Sequence, residues 1–251
     1  MEIFLNNIKI DYLDLTRDRK IINDKLLLKV KPEAKFIILE ELEKSEIRLV
    51  INIDNRAGIK KALYETRFLV DYVLTEYDYN EPDGIILYGT MINKMSITGR
   101  GYAQYLIKIF YDWFNHSDFS WEKYENKEVK SSYLLACFIW NKGFYKISAE
   151  NNIMKMDGNI VRDEEDFFCY LGELFFGKRG FMGLGLDSLH DHTIDVSKNN
   201  NMQEFHLYIN SADALEKALG NSYFFRSLEI LKRTGINIYI DDLVFKINNS
   251  I

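Results

Sequence analysis

The stretch FHLYINSADALEKALGNSYFFRSLEILKRTGINIYI, residues 205–240, decides the fold. FHLYIN reads as a short strand. Ser211 stands where a helix cap would, ahead of ADALEKALGNSYFFRSLEILKR. Gly235 follows as the glycine just past a helix end, and INIYI alternates like a second strand. Two strands joined through a helix return the chain to its starting end and run parallel. The segment therefore predicts a parallel sheet with helices packed on it.

Working upstream, NIMKMDGNIV (152–161) reads as strand, Asp-Gly turn and short return. Asp163 is the candidate N-cap for a helix carrying DFFCYLGELFF (166–176), with Asp166 three residues on. The last hundred residues thus run β-α-loop-α-β-α-β. This is an α/β unit spanning 151–251. Residues 1–150 read as a separate α+β unit. IFLNNIKI (3–10), KFIILEEL (35–42) and EIRLVINI (46–53) are candidate strands. Asn55 opens a candidate helix RAGIKKALYETRFLVDYVLTEY, which the turn at Pro82 and Gly84 ends. GIILYG is a strand, and GYAQYLIKIFYDWF is a helix with Tyr102, Leu106, Ile109 and Phe110 in the core. SYLLACFIW reads as a buried strand turning through NKG into FYKI.

Composition excludes several classes. The net charge of −6 disfavours wholesale binding to nucleic acid or to an anionic membrane. No apolar run approaches the roughly 20 residues of a membrane span, and MEIFLNNIKIDYLDL lacks the basic start of a secretory signal. Cys137 and Cys169 sit among apolar neighbours and read as buried thiols in a reducing cytoplasm; two cysteines alone make no structural zinc site. Trp113, Trp121 and Trp140 read as packing residues, the polar–aromatic DWFNHSDFSWEKYENKE as a candidate interaction surface, and His116 within it as a solvated or hydrogen-bonded residue. From Ile153 to Ile251 there are 15 acidic residues against 10 basic ones, so most of the acidic excess lies in the second unit.

The chemistry of that unit gathers in GFMGLGLDSLHDHTID, Gly180 to Asp195. Leu186 and Leu189 three apart predict a helix, which puts Asp187 and Asp191 on one face. On a helix His190 and His192 diverge by about 200°, a poor start for a metal site. Neither a Gly-x-Ser-x-Gly elbow nor an HExxH motif is present, so acid–base catalysis has no framework here. Beside these lesser alternatives stand two further readings: a solvated acidic face, or carboxylates held forward by a glycine loop, beside Phe181 and Met182, to meet a cationic surface.

These pieces, in order, resemble the barstar family of intracellular ribonuclease inhibitors over about residues 151–248. MKMDGNIVRDEEDFFCYL is similar to the family's opening strand, glycine turn and capped helix. GFMGLGLDSLHD resembles its signature loop and helix, FHLYIN its middle strand, and LEILKRTGINIYI its last helix, turn and strand. The resemblance implies a three-stranded parallel sheet with packed helices. It also implies a protein inhibitor rather than an enzyme: a cytoplasmic immunity protein that plugs the active site of a bacterial toxin nuclease, with carboxylates in place of substrate phosphates. Phe181, Met182, Gly185, Asp187, His190, Asp191 and Ile194 fall at the implied toxin-binding positions, Asp191 deepest. No cofactor, metal, membrane or direct nucleic-acid partner is implied. The chain departs from the pattern at Gly185 (an Asn in the family), at His190 (an aromatic) and at Ile230, where the last helix usually carries an acid; Glu229 beside it is expected to point elsewhere. For residues 1–150 the rival reading is an enzyme. MSITGRGYAQYLIKIF (95–110) has a Gly-x-Gly before a helix, the arrangement by which acyltransferases hold pyrophosphate.

Overall fold

A computed structural model describes residues 2–5, 8–10, 12–17, 24–29, 38, 42, 46–52, 67–79, 84–92, 103–114, 119–141, 143–241 and 243–245. The chain is mixed α/β and divides into two compact units, Met1–Phe119 and Ser120–Ile251.

The first unit is built on a seven-stranded antiparallel sheet, in the order β2-β1-β5-β6-β7-β4-β3. Its strands are β1 (Glu2–Leu5), β2 (Ile8–Ile10), β3 (Tyr12–Arg17), β4 (Asp24–Lys29), β5 (Glu46–Asn52), β6 (Arg67–Asp78) and β7 (Gly84–Ile92). Helix α1 (Ala103–Phe114) contributes Leu106, Ile109, Phe110 and Trp113 to the core, and Ile85 and Leu87 of β7 are also buried. Two sequence expectations are corrected. RFLVDYVLTEYD is the long strand β6, not the end of a helix: its apolar pairs fit helical spacing, but its β-branched and aromatic residues favour a strand, and β5 and β7 flank it on both sides. Of KFIILEEL, expected as a strand, the two described residues, Ile38 and Leu42, four apart, are helical and buried. Residues 55–66, the start of the expected helix, lie outside the described residues, as do Gly99, Gly101, Tyr102 and His116.

The second unit carries a four-stranded sheet in the order β11-β10-β9-β8. Strands β8 (Ile153–Asp157), β9 (His206–Asn210) and β10 (Asn237–Ile240) pair in parallel, and β11 (Leu243–Val244) joins antiparallel. Between β8 and β9 run α3 (Glu164–Phe176) and α4 (Leu186–Asn199). Between β9 and β10 run α5 (Ala212–Leu219) and α6 (Asn221–Arg233). The second pair was expected as one helix. Gly220, at φ +81°, breaks it. Met154, Met156, Leu207, Ile209 and Ile238 are buried on one face of the sheet, as alternation dictates. Asp163 caps α3, accepting from the Asp166 amide at 2.9 Å.

The stretch expected as a buried strand, SYLLACFIW, lies in helix α2 (Lys127–Asn141), buried on nearly every side. Continuous apolarity does not separate a buried strand from a buried helix, and the nine-residue run falls between their usual lengths; packing against α3 goes with the helix. FYKI, expected as its return strand, is irregular; its Tyr145 carbonyl and Ile147 amide bond instead to the Asn200 side chain at 2.7 and 3.0 Å. Helix α2 also moves the boundary between the units from 150 back to 119, because it packs on α3. Lys130, 1% exposed, ion-pairs with Asp163 at 3.0 Å and with the fully buried Asp166 at 2.6 Å. Arg162 closes the cluster at 2.7 Å from Asp166.

Trp121 is core, 1% exposed, so this part of the polar–aromatic stretch is packing rather than surface. Its ring lies 6.3 Å from that of Tyr170. The Tyr170 hydroxyl in turn accepts from the Asp157 amide at 3.3 Å and donates to the Lys155 carbonyl at 3.4 Å. It thereby occupies the outer edge of β8, which would otherwise offer unpaired backbone groups to another strand.

Breaking the buried cluster leaves a charge without its partner in a dry interior. Lys130→Met should cost about 3–5 kcal/mol, read as a lower urea midpoint at unchanged slope. Glu173 gives a second test. Burial raises its carboxyl pKa, while hydrogen bonds from Tyr133 (2.6 Å) and Trp121 pull the other way. A raised folded pKa means stability that is present at low pH and lost as pH rises through that value. Glu173→Gln should therefore match the wild type at about pH 4 and exceed it near pH 8, as followed by urea unfolding across that range.

Candidate functional site

The second unit has one helix whose outer face is rich in chemistry. Helix α4 buries Leu189, Thr193 and Val196, spaced four and three apart, and so turns Asp187, His190, Asp191 and Ile194 outward. The Asp191 side chain is 86% exposed, and the His190 ring, 51% exposed, brings its Nδ1 to 3.7 Å from the carboxylate. Ile194 is 43% exposed, the apolar member of the ridge. No hydrogen bond or ion pair holds Asp187 to any other described residue. Asp195 differs: Lys198 pairs with it at 3.0 Å.

The direction of this helix is set by the loop before it. Gly172 in α3 and Gly180 in the loop meet backbone to backbone; a Cβ on Gly172 would stand 2.5 Å from the Gly180 carbonyl oxygen. Gly183 adopts φ +142°, and a Cβ there would lie 2.9 Å from the Leu189 amide of α4. Both contacts exclude any larger residue. Phe181 and Met182, expected on the surface as contact residues, are 3% and 0% exposed. They are corrected to core: Phe181 sits edge-on to Phe138 at 5.2 Å and to His192 at 5.3 Å. The loop is thus held by apolar burial beneath the helix rather than presented with it. His192 likewise lies inward, among Tyr145, Phe176 and Phe181. Gly185 takes the N-cap position with extended backbone and gives no side-chain cap. At the far end, Asn200 donates to the Val196 carbonyl at 2.8 Å while also bonding to Tyr145 and Ile147.

Beside the ridge, α4 packs on α6, and the two enclose a shallow groove of about 320 Å³. Leu186, Asp187 and His190 line it from α4; Arg226, Glu229, Ile230 and Arg233 line it from α6. Two things here differ from the sequence expectation. Glu229 does not point elsewhere: it faces the same groove as Asp187, beside Ile230. The surface is also not uniformly acidic, because two arginines share it. No residue spacing announces this, since α4 and α6 are joined only through packing.

Among the described residues, no group of three His, Cys, Asp or Glu side chains could hold a metal ion, and no helix is long and apolar enough to cross a membrane. Cys137 and Cys169 are free, fully buried, and pushed well above the usual thiol pKa by that burial. Compared with known proteins, the chain matches no family model, no curated protein and no solved structure.

The geometry separates scaffold from surface. Gly172→Ala should lower stability by about 2 kcal/mol or more, since backbone must move to admit a methyl group. Asp187→Ala and Asp191→Ala should change it by about 0.5 kcal/mol or less, because both carboxylates are solvated. Thermal melts of the three variants check both statements. An Asp191→Ala protein that unfolds with Gly172→Ala would make that carboxylate structural.

Proposed function

We propose that the Ser120–Ile251 unit is a barstar-like inhibitor that seats helix α4 in the active site of a bacterial toxin nuclease. The observation that carries this reading is the α4 ridge: Asp187 and Asp191, one turn apart, stand exposed on a helix whose orientation is set by buried glycine contacts. An enzyme that cleaves RNA lines its site with cations to stabilise phosphate charge. A rigidly presented carboxylate accepts charge-assisted hydrogen bonds from those cations, and little conformational entropy is lost on docking. The β-α-α-β-α-α-β order with three parallel strands supports the reading, although β11 adds a fourth, antiparallel strand beyond the three-stranded sheet that the resemblance implies. Ile194 and the groove floor at Leu186 and Ile230 supply apolar contact around the charges. In this reading the contacts come from α4 and α6 rather than from Phe181 and Met182.

Calorimetry against barnase and a panel of other purified bacterial ribonucleases tests the proposal. One of them should bind with one-to-one stoichiometry, more weakly as salt rises through the physiological range. Asp191→Ala should cost about 2–5 kcal/mol of that binding. A panel in which none binds at low salt would remove the proposal.

A further inference from the structure

We infer that the partner surface meeting α4 carries a carboxylate as well as cations, and that Arg226 and Arg233 recognise it. The inference rests on the inhibitor reading and specifies its partner. The two arginines are seven residues apart on α6, two turns along one face, with Glu229 and Ile230 between them at the groove. Both are exposed, as is Asp187 across the groove. Were these charges present to hold α4 and α6 together, opposite signs would pair across the groove. They do not: no ion pair or hydrogen bond joins the side chains of Asp187, Arg226, Glu229 or Arg233 to any other described residue. Among the described residues both signs therefore stand side by side, with Asp187, Arg226 and Arg233 exposed where a partner can reach them.

That arrangement selects a particular partner chemistry. A uniformly cationic cleft would be attracted by Asp187 and Asp191 and repelled by Arg226 and Arg233, which would weaken the complex. A nuclease that works by acid–base chemistry holds a proton-accepting group beside the cations that stabilise phosphate. Where that base is a carboxylate, a guanidinium matches it with two parallel hydrogen bonds, which an ammonium does not. The groove would then meet both signs of such a site at once: Asp187 and Asp191 against the cations, Arg226 and Arg233 against the base.

The sign of one mutational effect tests this. Affinity for barnase and the other ribonucleases is measured for the wild type, for Asp191→Ala and for the double variant Arg226→Ala/Arg233→Ala, at about 150 mM salt. Melting curves establish that the variants fold. The inference expects the double alanine variant to bind about tenfold or more weakly, and Arg226→Glu/Arg233→Glu weaker still. Unchanged or tighter binding by the arginine variants, with Asp191→Ala still losing affinity, overturns the inference and leaves the inhibitor reading standing. No binding by the wild type overturns the inhibitor reading, and the inference falls with it.

Discussion

The close approach of Gly172 and Gly180 is the constraint on which the rest of the second unit depends. Two backbones in contact leave no room for side chains, so the loop after α3 has one way to lie. That path puts Phe181 and Met182 into the core and brings Gly183 against the first turn of α4. With the loop fixed and Leu189, Thr193 and Val196 buried, the rotation of α4 about its axis is settled, and Asp187 and Asp191 face water. The acidic ridge is thus a consequence of packing beneath it, and needs no hydrogen bond of its own.

A second layer of constraint explains why the unit begins at Ser120. Helix α2 is too apolar to stand alone, and its Lys130 is fully desolvated. Asp163 and Asp166 supply the matching charges at the start of α3, and Arg162 holds Asp166 from its own side, so removing α2 would take the cation from Asp163 and one of two cations from Asp166, at a helix that also carries half of the glycine contact. Trp121 and Tyr170 complete this side by occupying the open edge of β8. A parallel sheet this small has few ways to protect its edges, and an aromatic hydroxyl bonded to the edge backbone is one.

Much of the second unit was legible in the sequence. β8, α3, β9 and β10 each carry a local signal: alternation, the Asp163 cap, the glycine at 235. That Asp187 and Asp191 share a face followed from helical spacing; that this face looks outward comes from the burial of Leu189, Thr193 and Val196. What the sequence hid was non-local. SYLLACFIW is equally apolar as strand or helix, and only its partners across α3 decide. RFLVDYVLTEYD satisfies both periodicities, and two flanking strands select one. Phe181 and Met182 read as surface aromatic and thioether because glycines surround them. The same glycines are what let the loop sink far enough to bury them. Glu229 and the two arginines join the candidate site only through the packing of α6 on α4, which no spacing within either helix encodes.

The most direct measurement of the central claim is the rate of RNA cleavage by a nuclease that binds this protein, followed as the protein is titrated in. An α4 ridge seated among the catalytic cations predicts turnover falling linearly to zero at one equivalent, with RNA unable to bind while the protein is in place. A nuclease that binds the chain yet cleaves RNA at its full rate would show that the ridge docks away from the active site, and would contradict the account.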